Sequence, residues 1–149
     1  MHISQKSVES FLKQRHPDLY IAHTDKTDGP TYLDKQSHYD FAIRSPGVPP
    51  SVITIPYTTA TNIFFSLVKG VTIGVTGTKG KSTTASLIHA ILSEGGLSSY
   101  LVGNIGEPMV NALHYDSHDT YYVCELSSYQ LEDIQYSPHI SVIINLFPE

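Results

Sequence analysis

Residues 74–84 read GVTGTKGKSTT, and this stretch narrows the possible folds more than any other. It follows Val71–Val75, a β-branched run suited to a strand buried on both faces. It precedes Ser82–Leu92, where Ala85, Ile88 and Leu92 share one helical stripe with Leu87 and Ile91 beside it. Strand, glycine-rich turn and helix together make a phosphate-binding layout. The glycines let the backbone turn tightly and aim several N–H groups at one point, and the helix start adds free N–H groups and the positive end of its dipole. Lys81 can reach the terminal phosphates, and Ser82 can place a hydroxyl on Mg²⁺. The strict pattern GxxxxGK[ST] is not met, because Val75 stands where its first glycine belongs and the loop glycines are Gly77 and Gly80. The plainer reading, a glycine turn with surface lysines, gives no reason for Lys-Ser at the first turn of a helix.

The rest of the chain alternates strand and helix patterns. Val8–Gln14 is helical in spacing and stops at Pro17. Leu19–Ala22, Tyr39–Ile43 and Val52–Ile55 read as strands, with an irregular Val48-Pro49-Pro50 between the last two. Thr59–Val68 reads as a helix, and Lys69-Gly70 as a boundary. Beyond the loop and its helix, Gly95-Gly96 marks a stop. Tyr100–Val102 is a strand, 103–108 a loop and Val110–Leu113 a short helix; Tyr121–Leu126 and Ile140–Leu146 are strands. The alternation favours an open, mostly parallel α/β sheet. A last strand with no following helix to cover it suggests a chain cut short.

Bulk properties remove some function classes. Of 149 residues, 40% are hydrophobic, which suits a packed core, and a net charge of −5 without basic blocks argues against a nucleic-acid binder. Cys124, the one cysteine, cannot form an internal disulfide and fits a reducing cytoplasm. The N-terminus lacks a signal-peptide apolar region, and no run approaches the roughly twenty apolar residues of a membrane span. The expectation is a cytoplasmic protein with no membrane insertion. The eight histidines are scattered without metal-ligand spacing. Cys124, inside YYVCEL, reads as a small core residue rather than a nucleophile.

Three further segments accompany the loop: SPGVPP (45–50), GNIGEP (103–108) and ELSSYQL (125–131). With VTGTKGKSTT, in this order and spacing, the chain resembles the Mur ligase family over about residues 40–147, and ELSSYQL points to its glutamate-adding branch. The resemblance implies a partial, Rossmann-like N-terminal domain for the UDP-substrate over 1–69, followed by the first part of a P-loop-type parallel α/β central domain over 70–149 that binds ATP. It implies an ATP-dependent amide-bond ligase that phosphorylates the carboxylate of a nucleotide-sugar precursor, UDP-N-acetylmuramoyl-L-alanine, and adds D-glutamate to it. In that scheme Gly77, Thr78, Lys79, Gly80, Lys81, Ser82, Thr83 and Thr84 hold ATP. Lys81 and Glu125 are catalytic, and Ser82 and Glu125 contact Mg²⁺. Asn104, Ser127, Ser128 and Gln130 line the precursor side, and Ser45, Pro46 and Gly47 meet its nucleotide, with Thr24 as a further candidate.

The sequence also departs from the family pattern. The opening MHISQK lacks the glycine-rich turn that meets the uridine diphosphate. After Asn145-Leu146-Phe147-Pro148-Glu149 there is no metal-site histidine, no modified lysine and no C-terminal domain, and Lys79 stands where the family usually has asparagine. A site assembled between domains cannot form without one of them, so the expectation is an N-terminal piece of a ligase with little or no activity alone. The alternatives are another ligase of the superfamily, such as a folylpolyglutamate-type enzyme, a nucleotide-binding module without catalysis, or a generic P-loop kinase or NTPase.

Overall fold

The computed structural model describes residues 3–147; His2 and the Pro148-Glu149 end noted above lie outside the described residues. The chain divides into two compact units, Met1–Ala60 and Thr61–Glu149.

In the first unit, α1 (Ile3–Arg15) carries Lys13 and Arg15 in its last turn, where cations suit the helix dipole. Its buried side chains include Val8 and Phe11, and the Arg15 guanidinium sits 3.8 Å from the centre of the Phe11 ring. Two short strands, β1 (Ala42–Arg44) and β2 (Tyr57–Thr59), pair in parallel with Ala42 opposite Tyr57. Three of the sequence-based expectations shift here. Leu19–Ala22 forms no strand: Leu19 and Tyr20 are exposed, and the Leu19 carbonyl accepts from Lys13 Nζ at 2.6 Å. Tyr39 donates its N–H back to Gln36, so the first ladder begins only at Ala42. Val52–Ile55 is not a strand either. The N–H groups of Val52 and Ile53 close turns onto Pro49 and Pro50, and that of Thr54 goes to Gln36 Oε1. An apolar run becomes a strand only where a neighbour takes its donors, and the paired segment lies beyond Pro56.

The second unit is a four-stranded, wholly parallel sheet in the order β4-β5-β3-β6. It is built from β3 (Val71–Thr76), β4 (Ser99–Gly103), β5 (Tyr121–Glu125) and β6 (Ile140–Ile143). Helices α2 (Ala60–Leu67), α3 (Lys81–Glu94), α4 (Met109–Ala112) and α5 (Ser128–Leu131) accompany it. Side chains alternate along β5 to feed two apolar layers. Tyr122 and Cys124 join Phe64, Phe65, Val102 and Met109 in one layer, while Val123 joins Ile73, Val75 and Ala85 in the other. The Phe64 and Tyr122 rings meet edge to face at 5.5 Å. This burial of Phe64 and Phe65 ties α2 from Thr61 onward to the second unit. The sheet matches the parallel α/β class read from the sequence, although β6 ends at Ile143 and not at Leu146. Among the described residues, no helix is long and apolar enough to cross a membrane.

Burial holds the Cys124 thiol neutral well above its ordinary value of 9.0. Burial, and then the charge of Asp116, does the same to the Tyr122 phenol above 10.0. The unfolded chain ionises both groups at ordinary values, so above about pH 9 it holds fewer protons than the folded chain. The stability conferred by the neutral thiol is thus complete below about pH 9 and declines as pH rises, by up to ~1.4 kcal/mol per pH unit for one group. Urea unfolding between about pH 7 and pH 10.5 should show this decline, with a shallower slope in Cys124→Ala. Identical slopes would remove the thiol as its source.

Candidate functional site

The β3 strand ends at Thr76 and α3 begins at Lys81, so the whole turn is Gly77–Gly80. Gly77 (φ 145°) and Gly80 (φ 85°) both occupy the left-handed half of the backbone map, which side chains with a Cβ seldom adopt. A Cβ on Gly77 would also stand 3.1 Å from the Asn145 carbonyl oxygen. Gly80 is the N-cap of α3 and supplies no side-chain cap. The first bond of the helix runs from Thr84 N–H to the Gly80 carbonyl at 3.0 Å. The N–H groups of Gly80, Lys81, Ser82 and Thr83 therefore precede the helical ladder, with no side-chain cap at the N-cap residue among the described residues. Lys81 Nζ lies across the turn, donating to the carbonyls of Gly77 (2.7 Å) and Thr78 (3.3 Å). Lys79, Ser82 and Thr83 are exposed, and Thr84 is half-buried.

Glu125 closes β5 directly opposite Val75 of β3, at the level where β3 enters the loop. It is 1% exposed. Oε1 accepts from Asn104 Nδ2 at 3.0 Å, while Oε2 has no hydrogen-bond partner among the described residues. A buried carboxylate oxygen left without a donor is costly, and a cation would satisfy it. The loop after β4 is folded to deliver Asn104. Its N–H donates to the Glu125 carbonyl at 3.0 Å, and Gly103 (φ 110°) passes so close to that carbonyl that a Cβ would collide with it. Behind the carboxylate, Thr76 Oγ1 donates to the Leu126 carbonyl and Leu126 N–H to the Val75 carbonyl, both at 2.9 Å. The two strand ends are thereby tied beyond their ladder.

The remaining sequence candidates stand in two places. Ser127 and Gln130 form a capping box at the start of α5. The Ser127 hydroxyl accepts from Gln130 N–H, and the Ser127 N–H and hydroxyl both donate to Gln130 Oε1 at 2.9 Å. Their polar atoms serve each other, and Ser128 is the exposed member of the set. Ser45, Pro46 and Gly47 belong to the first unit, in a turn closed by Val48 N–H on the Ser45 carbonyl at 3.0 Å. Thr24, also in that unit, donates its hydroxyl to the Tyr32 carbonyl.

Asn145 is a site residue that the sequence reading does not single out. It lies just past β6, and its side chain brackets Lys79: Oδ1 accepts from Lys79 N–H at 3.1 Å and Nδ2 donates to the Lys79 carbonyl at 2.9 Å. Its own carbonyl accepts from Thr78 N–H at 3.3 Å, and Phe147 N–H donates to Thr78 Oγ1 at 3.1 Å. A carboxamide inside the apolar run IINLF is the signal that could have found it. These contacts also explain the early end of β6.

Residues 75–149 match the family model of the Mur ligase middle domain. A UDP-N-acetylmuramoylalanine–D-glutamate ligase of Ruminiclostridium cellulolyticum is 32% identical over 151 residues, covering 96% of this chain and 32% of the relative. The protein of that name from Clostridioides difficile is 45% identical over 75 residues, covering 50% of this chain and 17% of the relative. A UDP-N-acetylmuramoyl-L-alanine–L-glutamate ligase of Salinispora tropica is 41% identical over 118 residues, covering 74% of this chain and 25% of the relative. The chain spans a third or less of the length of these relatives.

The two kinds of glycine in the candidate set should separate in stability measurements. Gly77→Ala forces a left-handed alanine against the Asn145 backbone and should cost about 1–3 kcal/mol in denaturant unfolding. Gly47 has no positive φ, and nothing lies within 4 Å of its Cβ position. Gly47→Ala should stay within about 0.5 kcal/mol of wild type.

Proposed function

The chain belongs to the Mur ligase family, and we propose that it carries the ATP-holding part of a UDP-N-acetylmuramoylalanine–D-glutamate ligase. The observation that carries this reading is the buried Glu125 oxygen with no hydrogen-bond partner among the described residues, on the strand next to the one that leads into a helix start without a side-chain cap. A triphosphate with a divalent cation matches both needs at once. The free N–H groups at the start of α3 suit phosphate oxygens, and Glu125 with the exposed Ser82 hydroxyl offers the oxygen ligands that Mg²⁺ prefers.

In this assignment Gly77–Thr84 cradle ATP, and Lys81 offsets charge at the outer phosphates. Asn104 holds Glu125 in place by its 3.0 Å bond and so fixes which carboxylate oxygen remains for the cation. Ser128, with Ser127 and Gln130 behind it in the capping box, faces the nucleotide-sugar precursor. Residues 1–69 are assigned to the uridine nucleotide of that precursor through Ser45, Pro46 and Gly47. When bound, ATP would supply a phosphoryl group to the precursor carboxylate, leaving ADP, and attack of the glutamate amine on the resulting acyl phosphate would form the amide and release inorganic phosphate. D-glutamate is the chosen amino acid because the ligase so named from Ruminiclostridium cellulolyticum matches 96% of this chain. The same reading puts the chain in the cytoplasm, where ATP and nucleotide sugars are found.

Calorimetric titration with ATP tests the assignment on the 149-residue chain. Wild type should bind more tightly with Mg²⁺ than in EDTA. Lys81→Ala should weaken binding by roughly tenfold or more in both conditions, since it removes a charged donor. Glu125→Gln should keep the EDTA affinity and lose the gain from Mg²⁺. Equal affinity in wild type and Lys81→Ala would falsify the phosphate-loop reading. An undiminished Mg²⁺ gain in Glu125→Gln would remove the metal role.

A further inference from the structure

Resting on the reading of Gly77–Thr84 as a phosphate cradle, we propose that Asn145 is a positioning residue for that cradle. Its carboxamide holds the N–H and the carbonyl of Lys79 together, so that the Lys79–Gly80 peptide keeps its carbonyl on Asn145 and aims the Gly80 N–H the other way. The clasp is bidentate. Lys79 N–H donates to Asn145 Oδ1, and Asn145 Nδ2 donates to the Lys79 carbonyl. A primary amide carries donor and acceptor side by side in one plane, so it pairs with a residue's N–H and C=O as a neighbouring strand would. Aspartate offers acceptors only, and alanine offers neither.

The consequence follows from peptide planarity. In a trans peptide the N–H of Lys79 and the C=O of Thr78 point in opposite directions. With the N–H fixed on Asn145, the Thr78 carbonyl is directed the other way and is received by Lys81 Nζ at 3.3 Å. Both faces of this peptide thus have partners, one from each side of the loop. Without Asn145 both peptides of Lys79 lose this clasp and are free to rotate. Glycines on either side of Thr78-Lys79, both at positive φ, make such rotation easy. A flipped Lys79–Gly80 peptide puts the Lys79 carbonyl, a partial negative charge, in place of the Gly80 N–H that would meet a phosphate oxygen. The main chain around Asn145 reinforces the arrangement, since its carbonyl takes Thr78 N–H and Ile144 N–H extends the β3–β6 pairing to Thr76. Asn145 needs no contact with the ligand to act in this way.

The test measures tripolyphosphate and Mg-ATP affinity by calorimetry, and amide exchange by NMR, in wild type, Asn145→Ala, Asn145→Asp and Lys81→Ala. In Asn145→Ala the Lys79 amide should lose protection and both affinities should fall roughly tenfold, the worth of two hydrogen bonds. The Val123 and Cys124 amides of the sheet should keep their wild-type protection. Asn145→Asp should retain protection at Lys79 through its carboxylate oxygen yet bind tripolyphosphate more weakly than wild type. Unchanged affinity in Asn145→Ala, with the Lys79 amide exposed and Lys81→Ala impaired, overturns the positioning role and leaves the phosphate reading standing. Loss of sheet protection together with affinity also overturns it, because Asn145 would then be a brace for the fold. Wild type that fails to bind tripolyphosphate overturns the phosphate reading and the positioning role with it.

Discussion

Everything at the candidate site depends on β3 being paired on both sides by parallel strands. Glu125 comes from β5 and Asn145 from just beyond β6, so the carboxyl end of β3 emerges between a buried carboxylate and a carboxamide. A parallel sheet puts all its strand ends at the same edge, which is why ligands of open α/β folds collect there. Here that geometry supplies the two flanks of one loop from segments far apart in sequence. A central strand that must be dry on both faces also explains the composition of Val71–Val75, and the glycine-rich turn follows from the need to leave the sheet abruptly and start a helix.

The local part of this arrangement is legible in the amino-acid order itself. The loop and α3 lie in consecutive residues, their glycines announce the turn, and the apolar stripe of α3 announces the helix. Glu125 enters through the family resemblance of ELSSYQL, and the end of a strand, where it stands, is where ligands of open α/β sheets collect. What cannot be read is what depends on distant partners. Leu19–Ala22 and Val52–Ile55 have strand-like composition, yet the backbone bonds of Leu19, Val52, Ile53 and Thr54 go to turns and side chains rather than to a neighbouring strand, and composition does not report a missing neighbour. Asn145 and Lys79 are 66 positions apart, so nothing local marks their pairing.

Ser127 and Gln130 show the opposite difficulty. Ser-x-x-Gln ahead of a short helix is a capping-box pattern, and the structure uses both side chains in that way. The family resemblance instead places them on the substrate side. The two roles are compatible only where a cap holds the Ser127–Ser128 turn toward a ligand, which makes Ser128 the member whose hydroxyl is open. Polar residues near a site thus divide into those that complete the backbone and those left over, and only the hydrogen-bond partners tell them apart.

The leftover groups are the informative ones. A folded chain of this size loses stability for each buried polar atom it leaves unpaired, on the order of 1–3 kcal/mol. Around the strand ends the matching is dense: Thr76 to Leu126, Leu126 to Val75, Asn104 to Glu125, and Lys79 and Thr78 to Asn145. Within that network the Glu125 Oε2 atom and the first N–H groups of α3 stand apart. In the proposed reading, the carboxylate oxygen and the row of helix-start donors are what a ligand bringing both a cation and an anion would meet. A metal–triphosphate has that composition. A phosphate alone would leave the carboxylate facing it with like charge, and a metal alone would leave the helix start unmet. The surrounding network therefore favours the two arriving together.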